Sequence, residues 1–345
     1  MDAARIAAAI VAQDQTSPFS GVVLIQEHGQ TVFGQGYGFA NRAESIPNTL
    51  HTRFGMASGC KIFTGIAICQ LVEKGLLAFD ARLKDCLDIV FPAFAPNITV
   101  HHLLTHSSGI PDYFDEEVME DYEALWHHRP MYNIRTPRDF LPLFQHERMK
   151  FAPGEQFSYS NAGFIVLGLI VEQQTAMSFP AYVETSIFAP CGMTDSGYFA
   201  MDQLPTRTAY GYMENKADKT WKTNIYAVPI VGGPDGGAFT TAPDMVKFWT
   251  ALLTHQLFGN ASTTAQFFTP HIGVENTPRH TLYGYGVWMT QQAGAVSYYV
   301  IGEDPGAQLL STVYPEQGLL ITVMGNTDKP IWPLYNEIES IAEAI

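Results

Sequence analysis

The sequence is poor in cysteine and in basic residues. Its four cysteines, at positions 60, 69, 86 and 191, form no Cys-x-x-Cys pair, which argues against a disulfide framework and a cysteine zinc site. Its 19 lysines and arginines stand against 34 aspartates and glutamates, which gives a net charge of −15. A surface with that charge repels phosphate groups, so no nucleic-acid partner is expected.

Long apolar runs are also missing. No stretch of about 18 apolar residues occurs, so the sequence predicts no membrane-spanning helix. The start, MDAARIAAAIVAQDQTSPFSG, has no basic segment and no convincing cleavage site, and it predicts a surface helix rather than a signal peptide. This start predicts a cytoplasmic protein, or a periplasmic or secreted one if a leader has been removed. No pattern in the sequence predicts an oligomeric state.

What the chain does contain is enough apolar material for a large core. It has 345 residues, of which 46% are hydrophobic and 15% charged. β-rich segments occur towards both ends, and helical patterns broken by proline-rich connectors fill the middle. We therefore expect an α/β (α+β) fold in which residues 1–78 and 210–345 form one domain with a β-sheet. Residues 79–209 are expected to form a mainly helical inserted domain.

Several elements can be placed from turn residues and periodicity. Two β-rich runs around His28-Gly29 predict a hairpin, and a second hairpin is expected to turn at 315–318. An apolar helix is predicted from about Ser58 to Lys74, with Gly75 ending it. The other predicted strands are 209–213, 283–289 and 295–302, and the other predicted helices are 98–107, 162–175, 242–257 and 331–345.

The segment FGMASGCKIFTG (54–65) places a serine and a lysine at the head of this apolar helix. Ser58 and Lys61 are three residues apart, so their side chains lie on one helix face. The helix dipole and desolvation both favour a neutral Lys61 amine, which could take a proton from Ser58 and make it a nucleophile. The backbone N–H of Ser58 would then face the developing oxyanion. Alternatively, Lys61 simply extends to solvent from the first turn.

A second element is needed to move the proton to a leaving group. Tyr159-Ser160-Asn161 lies in a loop just before a predicted helix. A phenol beside a cation can be stabilised as the phenolate, so Tyr159 is a candidate general base and acid. Asn161 could donate to a substrate carbonyl and hold Lys61 in place. The alternative for Tyr159 is an ordinary buried aromatic residue whose hydroxyl is hydrogen-bonded.

Together these segments resemble the serine β-lactamase and penicillin-binding-protein superfamily, in its class C-like branch. That branch also contains DD-peptidases, D-aminopeptidases and esterases. Five segments carry the resemblance in the family's order: FGMASGCKIFTG, ITVHHLLTHSSGIPDY, FAPGEQFSYSNAGFIVLGLIVE, IFAPCGMTDSGY and GGPDGGAFTTAPDMVKFWTALL. The resemblance implies an antiparallel sheet flanked by helices, with the active site between the sheet domain and the helical domain.

The resemblance also implies an acyl-enzyme mechanism with no metal or organic cofactor. Ser58 would attack a carbonyl group of a small-molecule substrate. Lys61 and Tyr159 would move the protons, and Asn161 would orient the substrate.

The chain departs from the family at the third motif, which is usually Lys or His, a variable residue and Gly. When the segment YYVIGEDPG (298–306) is aligned with the family by its last five residues, GEDPG, Val300 and Gly302 fall at the first and last positions of that motif. The cationic side chain of the motif is then missing. A carboxylate substrate would thereby lose an ion pair worth about 1.5–3 kcal/mol. The backbone N–H of Glu303 could still complete the oxyanion hole. A shift of one residue would place Tyr299 in the motif instead.

Three functions follow from these observations. The first is a serine hydrolase acting on small neutral esters, lactones or amides, because Glu303 and Asp304 add negative charge that disfavours anionic substrates. The second is a β-lactamase, DD-peptidase or D-aminopeptidase, and in the last of these Glu303 or Asp304 would bind the substrate ammonium. The third is a catalytically weak relative that serves as a binding or assembly protein.

Three other patterns are interpreted as structural. His102 and His106 are four residues apart, but the glutamate of His-Glu-x-x-His and a third ligand are absent, so His106 is expected to make structural hydrogen bonds rather than bind metal. Cys60 is expected to pack in the core. The glycine-rich segment 232–237 lacks the lysine of a phosphate-binding loop, so no nucleotide is expected there.

Overall fold

The computed structural model describes residues 3–16, 18–215, 220–275, 277, 279–292 and 295–343. The strands are β1 (Gly21–Glu27), β2 (Gln30–Tyr37), β3 (Phe39–Asn41), β4 (Ile46–Pro47), β5 (Phe54–Gly55), β6 (Tyr212–Asn215), β7 (Thr220–Thr223), β8 (Phe239–Thr240), β9 (Ile272–Val274), β10 (Thr281–Tyr283), β11 (Trp288–Gln292), β12 (Ala295–Asp304), β13 (Ala307–Tyr314) and β14 (Leu319–Gly325).

The helices are α1 (Ala3–Thr16), α2 (Lys61–Glu73), α3 (Leu83–Cys86), α4 (Val100–Leu104), α5 (Asn161–Thr175), α6 (Phe179–Val183), α7 (Ala189–Cys191), α8 (Ala242–Leu253), α9 (Ala261–Phe267) and α10 (Trp332–Glu343). Turns of 3-10 helix occur at Ala57–Cys60, Glu123–His127, Met131–Asn133, Pro137–Leu143 and Asn224–Tyr226, and a π-helical turn at Glu184–Phe188.

The main sheet has eight strands in the order β2-β1-β14-β13-β12-β11-β10-β9, and all neighbours are antiparallel. Every residue of β13 and β14 is buried, because helices cover both faces of the sheet at its centre. Apolar residues of α1 and α10 cover one face, and α2, α5 and α8 belong to the core on the other. The expected antiparallel sheet with flanking helices is confirmed.

The N-terminal helix is more deeply buried than the sequence indicated. A surface helix is predicted there, and α1 is a helix, but its Ile6 and Ile10 are fully buried against the sheet. They repeat at i and i+4, which gives α1 one apolar face. The first two residues of the predicted segment lie outside the described residues.

Both predicted hairpins are confirmed. In the first, His28 and Gly29 have φ of 48° and 77°, the positive values that a tight two-residue hairpin turn requires. The second joins β13 to β14 through 315–318. The prediction of one strand over 283–289 is wrong: β10 ends at Tyr283 and β11 begins at Trp288. The intervening turn uses Gly286 at φ 85°, so the aromatic residues flank a turn rather than form one strand.

Helices α2 and α5 are buried on nearly all sides and pack against each other. The predicted helix at 58–74 is confirmed, except that its first turn is 3-10, and Gly75 follows it with φ 70°. One hydrophobic cluster contains residues of α2, α5, α8 and β13. The division into residues 79–209 and the two terminal parts stays a prediction. Of the predicted C-terminal helix, residues 344 and 345 lie outside the described part of the chain.

In the described ranges no single helix is long and apolar enough to span a membrane. One bent pair, Asn161–Thr175 with Phe179–Cys191, reaches that length and composition with a bend of 74° between its halves. Residues 161–171 are buried inside the protein, as core helices of this composition usually are.

Candidate active site

The segment that carries Ser58 turns sharply before α2. Ser58 lies in the 3-10 turn Ala57–Cys60, and Lys61 is the first residue of the helix. Ala57 has φ of 46°, a left-handed conformation that is costly for a residue with a Cβ. The backbone N–H of Gly237 donates to the Ala57 carbonyl oxygen over 3.2 Å and helps to hold the turn. Ser58 is thereby placed at the wall of a cavity.

Lys61 is buried, with 3% of its surface exposed, so the interpretation that it extends to solvent is wrong. Its Nζ lies 3.0 Å from Ser58 Oγ, 2.7 Å from Asn161 Oδ1 and 2.6 Å from the carbonyl oxygen of Asp235. The last two atoms can only accept hydrogen bonds. Lys61 Nζ also donates to Ser58 Oγ, and this contact places the amine where a general base for the serine proton has to lie.

Asp235 is a site residue that the sequence did not reveal. It lies in the glycine-rich segment 232–237, and its carboxylate accepts a hydrogen bond from the Tyr113 hydroxyl. Thr64 of α2 donates to the neighbouring Pro234 carbonyl over 2.5 Å, which ties the loop to the helix that carries Lys61. Burial raises the pKa of the Asp235 carboxyl group. The sequence identifies this segment as one that resembles the family's late glycine loop, but the atom that contacts Lys61 is a backbone carbonyl oxygen, which leaves no signal in the side chains.

Tyr159 lies beside Ser58 within a cluster of aromatic rings. Its ring centroid is 4.4 Å from that of His106 and 6.2 Å from that of Trp288. Burial raises the pKa of Tyr159 well above its usual value, and the Glu116 carboxylate raises it further. This raised pKa contradicts the expected phenolate, although Lys61 Nζ lies 4.8 Å from the ring centroid. Tyr159 is a neutral phenol, which can give a proton to a leaving group.

The start of α5 is fixed by Asp112, a second residue that the sequence did not reveal. The Asp112 carboxylate accepts from the backbone N–H of Asn161 over 2.7 Å and of Ala162 over 2.8 Å. Ser160 caps the same helix, since its Oγ accepts from the N–H of Gly163. Burial raises the pKa of Asp112 to about 7. Together these contacts hold the Asn161 side chain where it accepts from Lys61.

His106 makes the structural hydrogen bonds expected of it. Its Nδ1 accepts from the Ser160 N–H over 3.0 Å, and its Nε2 lies 3.1 Å from the Tyr283 hydroxyl oxygen. Burial lowers the pKa of His106 well below its usual value, so the ring is neutral. Cys60 is also buried as expected, with its Sγ 3.6 Å from the Gly233 carbonyl oxygen.

The third motif contains an apolar residue, as the first alignment expected. Val300 is 2% exposed and lies at a shallow depression in the surface together with Ser58, Lys61 and Tyr159. Tyr299 lines neither that depression nor the large cavity at Ser58, and its ring packs against Trp288 with 6.1 Å between the centroids. The geometry therefore favours Val300 over Tyr299 at this position.

Gly302 lies against the backbone of the nucleophile turn. A Cβ at this position would lie 2.0 Å from the Met56 carbonyl oxygen, 2.6 Å from Gly59 N and 2.9 Å from Ser58 N. Each neighbour is a backbone atom that cannot swing aside. Only glycine allows β12 to approach Ser58 this closely.

We expect Gly302→Ala to lower the free energy of unfolding by about 1–3 kcal/mol, because overpacking forces the backbone apart. It should also reduce kcat/KM at least about tenfold by displacing the Ser58 N–H. Urea unfolding and ester turnover measure the two effects. Gly273→Ala on β9 is the matched control, because a Cβ there meets no atom within 4 Å. Equal stability and activity of the two variants would contradict the close approach.

The backbone N–H of Glu303 lies at an open strand edge. Within the described ranges, β12 pairs with β11 only as far as Tyr299, so the last five residues of β12 have no strand partner on that edge. Asp304 and Ala307 flank a two-residue turn, and the residues that flank such a turn form a hydrogen-bonded pair. Hydrogen-bonded and non-hydrogen-bonded pairs alternate along an antiparallel ladder, so the next pair, Glu303 and Gln308, is not hydrogen-bonded. The Glu303 N–H therefore points away from β13, to the edge beside the nucleophile turn. Its place in an oxyanion hole stays a prediction.

A cavity of about 480 Å³ opens from Ser58, and its lining is strongly acidic. Among the described residues it is lined by eight carboxylic acids and by no lysine, arginine or histidine. The acids are Glu116, Glu120, Asp121, Glu123, Asp235, Glu303, Asp304 and Asp328. Burial raises the pKa of Asp304 to about 7, and three neighbouring carboxylates act in the same direction. The cavity therefore repels anions and suits neutral or cationic ligands.

Comparisons with known proteins agree with this fold. The Beta-lactamase family matches residues 6–344. A penicillin-binding protein from Bacillus halodurans is 50% identical and superposes with a TM-score of 0.90, over 96% of this chain and 99% of that one. Penicillin-binding protein 4* of Bacillus subtilis (strain 168) is 30% identical over 290 residues, which are 80% of this chain and 60% of that protein. Esterase EstB of Burkholderia gladioli is 31% identical over 234 residues, 65% of this chain and 58% of that protein. The chain thus spans about 60% of the length of these two curated relatives.

Proposed function

The chain belongs to the beta-lactamase family, a family of serine hydrolases, and we propose that it hydrolyses small acyl compounds through an acyl-enzyme on Ser58. The observation that carries the proposal is the contact between Lys61 Nζ and Ser58 Oγ, at 3.0 Å in a buried site. Two fixed acceptors hold the amine against the Ser58 hydroxyl, where the deprotonated amine would take the serine proton.

In acylation, Ser58 Oγ bonds to the substrate carbonyl carbon while its proton passes to Lys61. The oxyanion that forms is stabilised by the backbone N–H groups of Ser58 and Glu303. As the bond to the leaving group breaks, the departing atom takes the proton of the Tyr159 hydroxyl, and Lys61 returns a proton to Tyr159. In deacylation a water molecule attacks the ester carbon, the acid product leaves, and Ser58 recovers its proton.

Short neutral esters or related acyl compounds are the substrates we propose first. Val300 supplies no cation for a substrate carboxylate, and the acidic cavity lining repels one. These observations disfavour β-lactams and carboxylate-ended peptides. The intact contacts of Lys61 favour a catalyst over a binding or assembly protein. The cytoplasmic location stays a prediction.

A second candidate is hydrolysis of acyl compounds that carry an ammonium group, such as amino-acid amides or esters. The observation that favours it is the position of Asp304, which lines the cavity next to Glu303. Asp304 is close enough to Lys61 for the lysine charge to lower the pKa of its carboxyl group, although burial raises that pKa more. A carboxylate placed there can bind an ammonium by a charge-assisted hydrogen bond.

Activated esters that differ only in charge test the substrate class. We compare p-nitrophenyl esters of equal length that end in a carboxylate, a tert-butyl group or a trimethylammonium group. We expect the carboxylate ester to have a kcat/KM at least about tenfold below that of the tert-butyl ester, since like charges repel across the site. Equal or faster turnover of the carboxylate ester would contradict the proposal.

The pH dependence of the same series identifies the charged group. Because the pKa of Asp304 is raised to about 7, its carboxyl is neutral below that pH and charged above it. The preference for the cationic over the tert-butyl ester should therefore grow from about pH 6 to about pH 8. Asp304→Asn should remove this growth, whereas Asp328→Asn, in the same cavity, should retain it. A pH-independent preference in the unmodified protein would rule out the second candidate.

A further inference from the structure

Tyr159, the proposed acid, lies in a segment without regular secondary structure. Residues 156–160 form neither helix nor strand, and α5 begins only at Asn161. A proton donor has to lie within about 2.6–3.2 Å of the atom that takes the proton, so its side chain must be held in place. On this segment the neighbouring residues have to hold it, and His106 makes three contacts there.

Two of these contacts are hydrogen bonds on either side of Tyr159. The backbone N–H of Ser158 donates to the His106 carbonyl oxygen over 2.8 Å. The backbone N–H of Ser160 donates to His106 Nδ1 over 3.0 Å. The third contact is made by the imidazole ring, whose centroid lies 4.4 Å from that of the Tyr159 ring. One histidine therefore fixes both neighbours of Tyr159 and packs against its side chain.

The Ser160 contact determines which nitrogen of His106 carries the proton. Because Nδ1 accepts a hydrogen bond, the neutral ring carries its proton on Nε2. This Nε2–H donates to the Tyr283 hydroxyl oxygen over 3.1 Å, and burial keeps the ring neutral by lowering its pKa. The contact with Ser160 thus depends on one tautomer, which the contact with Tyr283 stabilises.

The backbone of His106 is strained. Its φ is 54°, in the left-handed region that residues with a Cβ rarely adopt. The side chain is 1% exposed, and its ring also packs against Phe157 and Phe164, with 5.6 Å and 4.9 Å between the centroids. Such strain persists only where the surroundings determine the conformation, and it is concentrated at functional sites.

We infer that His106 is a positioning residue for Tyr159, which holds the phenol where it can give its proton to the leaving group. The inference rests on the proposed function and adds to it an unprotonated Nδ1 at position 106. His106 lines neither the large cavity nor the depression at Ser58, so it acts through Tyr159 rather than on the substrate.

Two amides at position 106 separate the two ring nitrogens. Asparagine tolerates a positive φ, and its side-chain oxygen takes about the place of Nδ1. The glutamine amide lies one carbon further out, so it can reach Tyr283 but cannot take the place of Nδ1. We expect His106→Gln to lower kcat/KM for a methyl ester about tenfold more than for the p-nitrophenyl ester of the same acid. In His106→Asn the ratio of the two rates should remain close to that of the unmodified protein.

The ratio of the two rates separates positioning from general damage. A loss of folded protein lowers both rates by the same factor and leaves their ratio unchanged. His102→Gln is the matched control, because His102 Nδ1 also accepts from a backbone N–H, that of Thr99, over 3.2 Å. It should leave the ratio unchanged. An equal loss for both esters in His106→Gln, or the same ratio in the two amide variants, would overturn the inference.

Amide hydrogen exchange, followed by NMR, tests the contact without the chemistry. In His106→Gln the Ser160 N–H should exchange at least about tenfold faster than in the unmodified protein. The Ser158 N–H, which is bonded to a backbone oxygen, should keep its protection. Unchanged protection of Ser160 would contradict the inference. If Tyr159→Phe leaves the ratio of the two rates unchanged, the proposed acid role fails. A ratio that changes in Tyr159→Phe but not in His106→Gln refutes the positioning role alone.

Discussion

Lys61→Met should reduce kcat/KM for ester hydrolysis by about 10³-fold or more, because the variant has no base within reach of Ser58. The expectation follows from a buried amine placed 3.0 Å from the Ser58 hydroxyl oxygen by two acceptors. Methionine retains the volume of the side chain but leaves Asn161 Oδ1 and the Asp235 carbonyl without their donor. Each unpaired atom should cost about 1–3 kcal/mol of unfolding free energy. Lys74→Met, at the exposed end of the same helix, is the matched control.

A second variant separates a base from a fixed positive charge. Lys61→Arg retains a cation and its donors, but a guanidinium is not deprotonated in proteins and cannot accept the Ser58 proton. It should be nearly as inactive as Lys61→Met when initial rates are compared. An arginine variant with substantial activity would show that the charge alone suffices, which would contradict the role of Lys61 as base.

Tyr159→Phe should have an effect that depends on the leaving group. Because burial raises the pKa of Tyr159, its role is to donate a proton as the leaving group departs. An alkoxide or amine needs that proton, so we expect kcat/KM for a methyl ester to fall by about 10²- to 10³-fold. The p-nitrophenolate ion is a stable leaving group, and its ester should be affected far less. Stability should change little, since the ring and its contacts with His106 and Trp288 remain.

The two esters also decide between the roles open to Tyr159. If it acts as the base on Ser58, both esters should slow by the same factor. Tyr285→Phe removes another partly buried hydroxyl, one that lies 3.0 Å from His101 Nδ1, and should leave both rates unchanged. A uniform loss for both esters would therefore contradict the assignment of Tyr159 as acid.

Contacts within one helical turn could be predicted from the sequence, because their geometry is a property of the helix. Ser58 and Lys61 meet since residues three apart share a face. The partners of Lys61 are different, since Asp235 lies 174 residues and Asn161 100 residues away in the chain. Asn161 was anticipated, because a side-chain amide next to Tyr159 can accept a hydrogen bond from a lysine. Asp235 uses a backbone carbonyl, which any residue type can supply, so no side-chain pattern pointed to it.

The charge state of Tyr159 could not be predicted for a related reason. The sequence places a lysine in the same site, and a cation lowers the pKa of a phenol. The actual pKa depends on how completely solvent is removed and on the carboxylate of Glu116, which comes from a separate segment. These are properties of the packed site. Val300 is the opposite case, because the missing cation of the third motif was visible in the sequence itself.

Intact-protein mass spectrometry during turnover of a short p-nitrophenyl ester tests the central claim most directly. The unmodified protein should show a transient mass increase equal to the acyl group, which decays as free acid accumulates. Ser58→Ala should show neither the adduct nor catalysed product release. An adduct or equal turnover in Ser58→Ala would contradict the acyl-enzyme mechanism on Ser58.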